Sequence, residues 1–229
     1  ILVGESDDGH SAELIPYVVH AGIMLAPFKS NQSTSQIHSE SFRILAASIR
    51  HLTSFYKNID LSLSPQINDL RPFLWYNYDS KEPKFNLNLR YTSVLNLSGS
   101  GLNVPITENN IYNQCNKSRR QEIRYGITAG LTVKRIDCIS TFLSLYEATF
   151  DRQNIHLDNL TQATVKSICI ELNTDKNLLM FGTFTKDCKL VSINVFSTDV
   201  KRAYFLFGAN DPKFRDSLSG TTCLWRSLN

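Results

Sequence analysis

The sequence lacks any long apolar run. Although 42% of its 229 residues are hydrophobic, Asp, Lys, Asn or Ser interrupts each apolar stretch well before the roughly 20 residues that a membrane helix requires. We therefore expect neither a transmembrane span nor a signal peptide. The chain is nonetheless long enough to bury one large core or two small ones, so disorder is not the expected state.

Common signatures of metal binding and covalent catalysis are also missing. The five cysteines and five histidines are scattered, with no Cys-x-x-Cys pair, so no metal site is expected. An odd number of cysteines without a paired framework favours reduced thiols and a cytoplasmic location. The sequence has no Ser-His-Asp order, no paired-carboxylate signature and no glycine-rich phosphate loop. The reaction type that remains is direct transfer of a group between two substrates, without a covalent enzyme intermediate.

The first half of the chain predicts strands followed by a helix. Residues 1–5 and 11–20 flank an Asp8-Gly9 turn, which is typical of a β-hairpin. Ser39 is predicted to be the N-cap of an amphipathic helix. Its inward face would carry Phe42, Leu45, Ala46, Ile49 and Leu52. An extended segment is predicted over residues 85–97. Because the chain starts on strand-like residues and ends on a shortened helix pattern, we expect it to be part of a longer protein.

The second half predicts helices around an antiparallel sheet. A Ser/Gly patch at 98–101 suggests a boundary, giving domains at 1–100 and 101–229. A basic helix is predicted over 108–128 and a strand over 131–136, followed by two amphipathic helices. Three strands, at 178–185, 190–197 and 202–207, are then joined by short polar turns.

Four stretches in this half resemble one protein family in their order and spacing. They are the basic run 117–124 with Gly130-Leu131 behind it, the helix carrying Tyr146, Thr149 and Arg152, the strand Phe181-Gly182-Thr183-Phe184, and Ala203-Tyr204-Phe205 through Gly208-Ala209. Together they resemble the second lobe of FemAB-like and CelD-like acyltransferases of the GNAT N-acetyltransferase superfamily. The resemblance covers residues 107–228 and implies an α/β (α+β) protein. Its tandem GNAT-like lobes would have mixed, mostly antiparallel central sheets flanked by helices.

The resemblance also implies where an acyl donor would bind. In the superfamily, acyl-CoA lies between two central strands, and backbone amides at the following helix N-terminus hold its pyrophosphate. The positions that fit here are Phe205, Gly208, Ala209, Arg215, Gly220, Thr221 and Thr222. The usual Arg/Gln-x-x-Gly-x-Gly/Ala arm is absent, with Arg215 and Gly220 as a loose substitute. An ordinary surface loop is the alternative. FemAB-type enzymes take their acyl group from aminoacyl-tRNA, so this donor stays open beside acetyl-CoA or another acyl-CoA.

Two residues are candidate catalytic groups. Tyr204 lies on the last predicted strand, where a hydroxyl could protonate the leaving group or orient the acceptor. A buried core tyrosine is the alternative. Asp211 could act as general base toward an amine, although Asp-Pro is also a common turn.

Two groups of residues are candidate substrate-binding surfaces. Lys117, Arg120 and Arg124 share one helix face, which could meet a phosphate-rich donor or a nucleotide-sugar diphosphate, or could simply be solvated. A polar-aromatic cluster could line a cleft for sugars or peptides, or could be core packing. Its members are Asp69, Arg71, Trp75, Tyr76 and Tyr78.

These observations lead to one function with two alternatives. The first expectation is an acyltransferase that moves an acetyl or similar group from acyl-CoA to an amine or hydroxyl of a sugar or cell-envelope precursor. The second is an aminoacyl-tRNA-dependent transferase acting on a peptidoglycan precursor. The third is a non-catalytic binding module that retains the fold.

Overall fold

The chain folds into two compact units. The computed structural model describes residues 1–101 and 103–229, and these divide into units 1–92 and 93–229. Each unit has its own sheet with helices beside it, which confirms the predicted mixed α/β class. No helix within the described residues is long and apolar enough to cross a bilayer. The assignment of the units as GNAT-like lobes, with a boundary after residue 100, stays a prediction.

The first unit begins with a small three-stranded sheet. Its strands are β1 (Gly4–Glu5), β2 (Ser11–Glu13) and β3 (Asn58–Ile59). β1 and β2 are antiparallel, and β2 pairs in parallel with β3. Gly9 in the connecting turn has φ of +68°, which a residue without a Cβ adopts readily. The predicted hairpin is confirmed with shorter strands, because β2 stops ahead of Pro16, which has no N–H to donate.

The long helix of the first unit, α1 (Thr34–Phe55), starts earlier than predicted. Ser33 is its N-cap: its hydroxyl accepts from Gln36 N, and the Gln36 side chain accepts from Ser33 N. This reciprocal capping box satisfies two otherwise unpaired amides, so the predicted start at Ser39 is wrong. The predicted apolar face is confirmed, with Leu45, Ile49 and Leu52 buried.

The rest of the first unit has little regular structure. The short helix α2 (Arg71–Leu74) places Phe73 in a cluster with Leu45 and Ile49. Residues 85–97, predicted to be extended, form no strand.

The second unit is built on a four-stranded antiparallel sheet in the order β4-β5-β6-β7. Its strands are β4 (Thr132–Ile136), β5 (Leu178–Phe184), β6 (Leu190–Thr198) and β7 (Ala203–Asn210). The predicted meander is therefore confirmed, although β7 continues three residues beyond its predicted end at 207. Its helices are α3 (Asn110–Gln114), α4 (Lys117–Thr128), α5 (Ile139–Asp151), α6 (Asn159–Thr174) and α7 (Ser219–Ser227), and a 3₁₀ helix spans Pro212–Ser217.

The predicted basic helix over 108–128 is two helices. Asn109 caps α3 by accepting from Ile111 N and Tyr112 N, and Asn116 caps α4 by accepting from Arg119 N. Asparagine side chains that satisfy backbone amides in this way start new helices rather than continue old ones. The chain therefore turns between α3 and α4.

The two faces of the sheet are covered differently. On one face, α5 and α6 contribute Phe142, Val165 and Cys169 to an apolar core that also contains Ile193 and Val195 of β6. On the other face, α7 lies over buried polar side chains. Thr183, Ser192 and Asn194 of the sheet, and Thr222 of α7 itself, are each at most 4% exposed. Because β6 is covered on both sides, it is the buried centre of this unit.

Candidate anion-binding site

A cavity opens where β7 ends. The chain leaves β7 at Asn210, passes through the 3₁₀ helix and enters α7, and a cavity of about 280 Å³ lies among these segments. Arg152, at the C-terminal end of α5, completes its wall. The cavity thus collects residues from three places in the sequence of the second unit.

The N-terminus of α7 faces this cavity without a side-chain cap. Leu218 occupies the N-cap position with φ of 60°, and its side chain makes no capping hydrogen bond. The first-turn residues Ser219, Gly220 and Thr221 line the cavity. The amides of a first helical turn have no partner within their own helix, and the helix dipole places partial positive charge there. An anion is the ligand that such a wall favours.

Two arginines add full positive charges to the same wall. Arg152 and Arg215 are both exposed and both line the cavity. Among residues 1–101 and 103–229, neither guanidinium forms an ion pair with a carboxylate. Two unpaired guanidinium groups beside a helix N-terminus match the charge and the donor geometry of a phosphate group.

Thr149 fixes Arg152 near the end of β7. Its hydroxyl accepts from Asn210 N at 2.9 Å, and it also lies 2.8 Å from Leu145 O and 3.1 Å from Asn210 O. The last turn of α5 is therefore attached to the backbone of β7. Arg152 follows directly at the C-cap, so its position relative to the cavity is set by this attachment.

Gly220 is required by close packing inside the cavity wall. A Cβ at this position would lie 2.8 Å from Asn210 Oδ1. That oxygen accepts a 2.8 Å hydrogen bond from Ser192 Oγ, so the Asn210 side chain is held in place. The predicted pairing of Arg215 with Gly220 is thus realised as two residues of one cavity.

Asp211 lines the cavity, but its carboxylate is already engaged. It accepts from Lys213 N at 2.9 Å and pairs with Lys189 Nζ at 3.3 Å. Burial raises the pKa of Asp211, but the hydrogen bond from Lys213 and the nearby lysine charges outweigh it, so the pKa is lowered overall. A general base works best with a pKa near the working pH. The carboxylate is therefore better suited to fixing the loop, and its predicted role as base stays a prediction.

Tyr204 lies at the opposite end of β7 from Asp211. Its hydroxyl donates to Asp199 Oδ2 at 3.3 Å in the turn before the strand. Six residues separate Tyr204 from Asn210 along β7, which is roughly 20 Å at about 3.3 Å per residue. The structure does not bring the two predicted catalytic residues together.

The remaining predicted donor-binding residues divide into two groups. Thr221 lines the cavity, and Thr222 lies behind it, buried beside Gly126 of α4. Phe205, Gly208 and Ala209 lie along β7, outside the cavity wall: Phe205 packs edge-on against Phe196, and Ala209 is buried in the apolar core.

The predicted basic face of α4 points away from the cavity. At roughly 100° per residue, Lys117, Arg120 and Arg124 lie on the side of α4 opposite to Arg119 and Glu122. The latter two contact Thr221 of α7. The predicted basic row is therefore a separate surface.

The polar-aromatic cluster belongs to the first unit. Arg71 pairs with Asp69 through two hydrogen bonds of 2.7 and 2.8 Å, and its guanidinium lies 5.5 Å from the ring centroids of both Phe42 and Trp75. The hydrogen bond from Arg71 lowers the pKa of Asp69. Trp75 and Tyr78 are 56% and 67% exposed, so the cluster is surface rather than core. Its role in substrate binding stays a prediction.

Sequence reasoning missed three residues of this region: Arg152, Asn210 and Arg119. Arg152 was part of the family-like pattern with Tyr146 and Thr149, which was the available signal, but it received no role. Asn210 lies in the loop predicted to follow the last strand, but it received no role because that strand was predicted to end at 207. Within the described residues, no three His, Cys, Asp or Glu side chains come close enough together to hold a metal ion.

Comparison with known proteins gives a partial structural likeness. The chain is similar to the crystal structure of FemX, with a TM-score of 0.44 and 14% sequence identity, over 54% of this chain and 48% of that one. The chain therefore spans about half the length of the FemX chain that it matches. No family model matches the sequence, and no curated protein matches it.

Proposed function

We propose that this chain is part of a FemAB-like acyltransferase and that its cavity binds the phosphate groups of a substrate. The observation that carries the proposal is the convergence of Arg152, Arg215 and the uncapped N-terminus of α7 on one cavity. The sequence resemblance supplies the reaction class, direct transfer of an acyl group to an amine or hydroxyl.

The size of the cavity favours part of a ligand over a whole one. At about 280 Å³, it is just below the roughly 300–1,000 Å³ that sites for drug-sized ligands occupy. A diphosphate group attached to a larger molecule fits both this volume and the positive wall. Acyl-CoA carries such a group, and we propose it as the donor. The acceptor would be an amine or hydroxyl of a sugar or cell-envelope precursor.

In this proposal the cavity residues bind and orient the donor. The two guanidinium groups and the α7 amides hold the diphosphate, while the acceptor's nitrogen or oxygen attacks the acyl carbonyl carbon. The bond to the CoA sulfur then breaks, the sulfur leaves with the electron pair, and the acceptor loses its proton. Tyr204 and Asp211 lie at opposite ends of β7, so they do not serve as acid and base for the same transfer, and each role stays a prediction.

Calorimetric titration with CoA and acetyl-CoA tests this proposal. We expect both ligands to bind and Arg152→Ala and Arg215→Ala each to weaken binding about tenfold or more, because each removes charge-assisted hydrogen bonds to phosphate. Arg124→Ala, the same charge change on the far side of α4, is the matched control and should leave affinity unchanged. Equal affinities of the unmodified protein and the three variants would overturn the assignment of the cavity.

The row of basic side chains on α4 favours a second candidate, an aminoacyl-tRNA donor. Among the described residues, Lys117, Arg120 and Arg124 pair with no acidic side chain, so they are available to a polyanion. Fluorescence anisotropy with charged tRNA should then show binding that falls steeply with salt and is reduced in Lys117→Ala and Arg124→Ala. No tRNA binding at low salt would eliminate this candidate.

If the protein binds neither CoA, acetyl-CoA nor charged tRNA, the third expectation remains, a non-catalytic binding module of the same fold. Transfer activity in a protein that contains this chain, lost in Arg215→Ala without loss of folding, would exclude such a module. A cytoplasmic location and the identity of the acceptor stay predictions.

A further inference from the structure

Arg119 lies beside the cavity without being part of its recognised wall. Its Nη1 donates to Thr221 Oγ1 at 2.7 Å and to Glu122 Oε2 at 2.5 Å. Thr221 Oγ1 in turn donates to Glu122 Oε2 at 2.9 Å. This closed set of three contacts joins α4 to the first turn of α7, and Thr221 is itself a lining residue of the cavity.

Some N–H donors of the Arg119 guanidinium are not used by the hydrogen bonds to Glu122 and Thr221. An arginine presents five N–H donors, and the hydrogen bonds of Arg119 to Glu122 and Thr221 both use Nη1. The edge formed by Nε and Nη2 has no hydrogen-bond partner among the described residues. The side chain is 53% exposed, so this edge is accessible. A free guanidinium edge with two parallel N–H groups is the geometry that binds a phosphate group through two hydrogen bonds.

The positive charge of this region comes from Arg152 and Arg215. Among the described residues, Glu122 pairs with Arg119 and balances its charge, and Asp211, on the cavity wall, pairs with Lys189. Arg152 and Arg215 have no such partner, so they leave the region with an excess of positive charge that favours an anion. Arg119 therefore adds N–H donors to the region rather than net charge.

We propose that Arg119 is a third phosphate-binding arginine of the cavity and that Glu122 positions it. Glu122 holds Nη1 and so turns the Nε–Nη2 edge outward, beside the hydroxyl of Thr221. This inference rests on the proposed function, because it assigns a further ligand-binding residue to the same cavity.

Inorganic pyrophosphate and inorganic phosphate are the probes that test this inference. We expect calorimetry to show pyrophosphate binding more tightly than phosphate, and Arg119→Ala to weaken pyrophosphate binding about tenfold or more. The matched control is Arg202→Ala, which removes the same charge at an exposed arginine in the turn before β7. Because Arg202 lies at the opposite end of β7 from the cavity, its substitution should change the affinity less than about twofold.

A second variant separates ligand binding from a structural tie between α4 and α7. Thr221→Val breaks the tie but keeps the charge of Arg119. If Arg119 binds the ligand, Thr221→Val should weaken pyrophosphate binding less than Arg119→Ala does, and only Arg119→Ala should reduce the salt dependence of the affinity. Equal losses in both variants, with equal salt dependence, would show that Arg119 acts only through the fold.

The outcomes also distinguish this inference from the proposed function. If Arg215→Ala weakens pyrophosphate binding but Arg119→Ala behaves like Arg202→Ala, the assignment of the cavity stands and the role of Arg119 is overturned. If the unmodified protein binds neither pyrophosphate nor CoA, the proposed function fails and this inference fails with it. Tighter binding of phosphate than of pyrophosphate would overturn the diphosphate assignment.

Discussion

The two faces of the sheet in the second unit are held by different interactions. Beneath α5 and α6 the contacts are apolar, with Phe142, Val165 and Val195 fully buried. Beneath α7 they are polar: Thr183 Oγ1 donates to Ser219 O at 3.3 Å, and Cys223 Sγ donates to Phe181 O at 3.2 Å. In the described part of the chain, no buried side-chain nitrogen or oxygen is left without a partner.

The difference shows how one sheet can provide both stability and position. Apolar burial is strong but non-directional, so it stabilises the unit without fixing each helix closely. Hydrogen bonds require particular distances and angles, so the polar face sets the position of α7. Since the N-terminus of α7 forms part of the cavity wall, that position determines where an anion would bind.

The largest effect is expected on the apolar face. Phe142→Ala should lower the free energy of unfolding by about 3–5 kcal/mol, because it leaves a large cavity in the core. Phe142 is 0% exposed and contacts Tyr146 and Phe207. Urea denaturation followed by circular dichroism measures the change. Leu160→Ala, at a side chain that is 77% exposed, is the control. A similar loss in both variants would contradict the packing described here.

An intermediate effect is expected where α4 supports α7. A Cβ at Gly126 would lie 1.9 Å from Thr222 Oγ1, so Gly126→Ala should push the two helices apart. We expect a loss of about 1–3 kcal/mol in unfolding free energy, together with weaker pyrophosphate binding. Urea denaturation measures the first change, and calorimetric titration with pyrophosphate measures the second. Unchanged stability and affinity would show that the two helices can separate without cost.

A smaller effect is expected from a single hydrogen bond of the polar face. Thr183→Val keeps the shape of the side chain but removes the donor to Ser219 O. We expect a loss of about 1–2 kcal/mol, typical of a buried acceptor left unpaired, and a larger fractional change in pyrophosphate affinity than Phe142→Ala causes. If Phe142→Ala changes the affinity more, the division of roles between the faces is wrong.

The smallest effect is expected on the pH dependence of the unfolding free energy, through the carboxylate of Asp211. Burial raises its pKa, but Lys213 and Lys189 lower it overall, so its contribution to stability is present above the unfolded pKa of about 3.9. That contribution is lost as the pH falls through the lowered folded value. Asp211→Asn should therefore be slightly less stable than the unmodified protein at pH 7, and the difference should vanish in acid. Denaturation curves at pH 7 and in the acid range measure this; a gap that widens in acid would contradict it.

Much of the second unit could be predicted from its sequence because its signals are local. Short apolar runs bounded by polar turns predict β5 and β6, and apolar residues at helical spacing predict α5 and α6. The split between α3 and α4 was missed because polar residues on both sides of Asn116 gave no apolar pattern to interrupt. The start of α1 was missed because Ser33 and Ser39 are both acceptable caps, and only the Gln36 side chain decides between them.

The candidate site was only half predictable for a physical reason. Arg215, Gly220 and Thr221 follow one another closely in the chain, so a loop motif can identify them. Arg152 reaches the same cavity from another helix, through the contact between Thr149 and Asn210. Contacts between distant segments depend on packing, which a single sequence does not display.

The contact between Thr149 and Asn210 also has a kinetic consequence. Asp211 N donates to Val191 O of β6, and successive amides of a strand point in opposite directions. Asn210 N therefore points off the outer edge of the sheet, where amide protons usually exchange with solvent quickly, but Thr149 Oγ1 accepts from it. Its exchange rate should report how often the end of α5 separates from β7. One amide proton would thus measure the opening of the cavity wall, without any ligand being added.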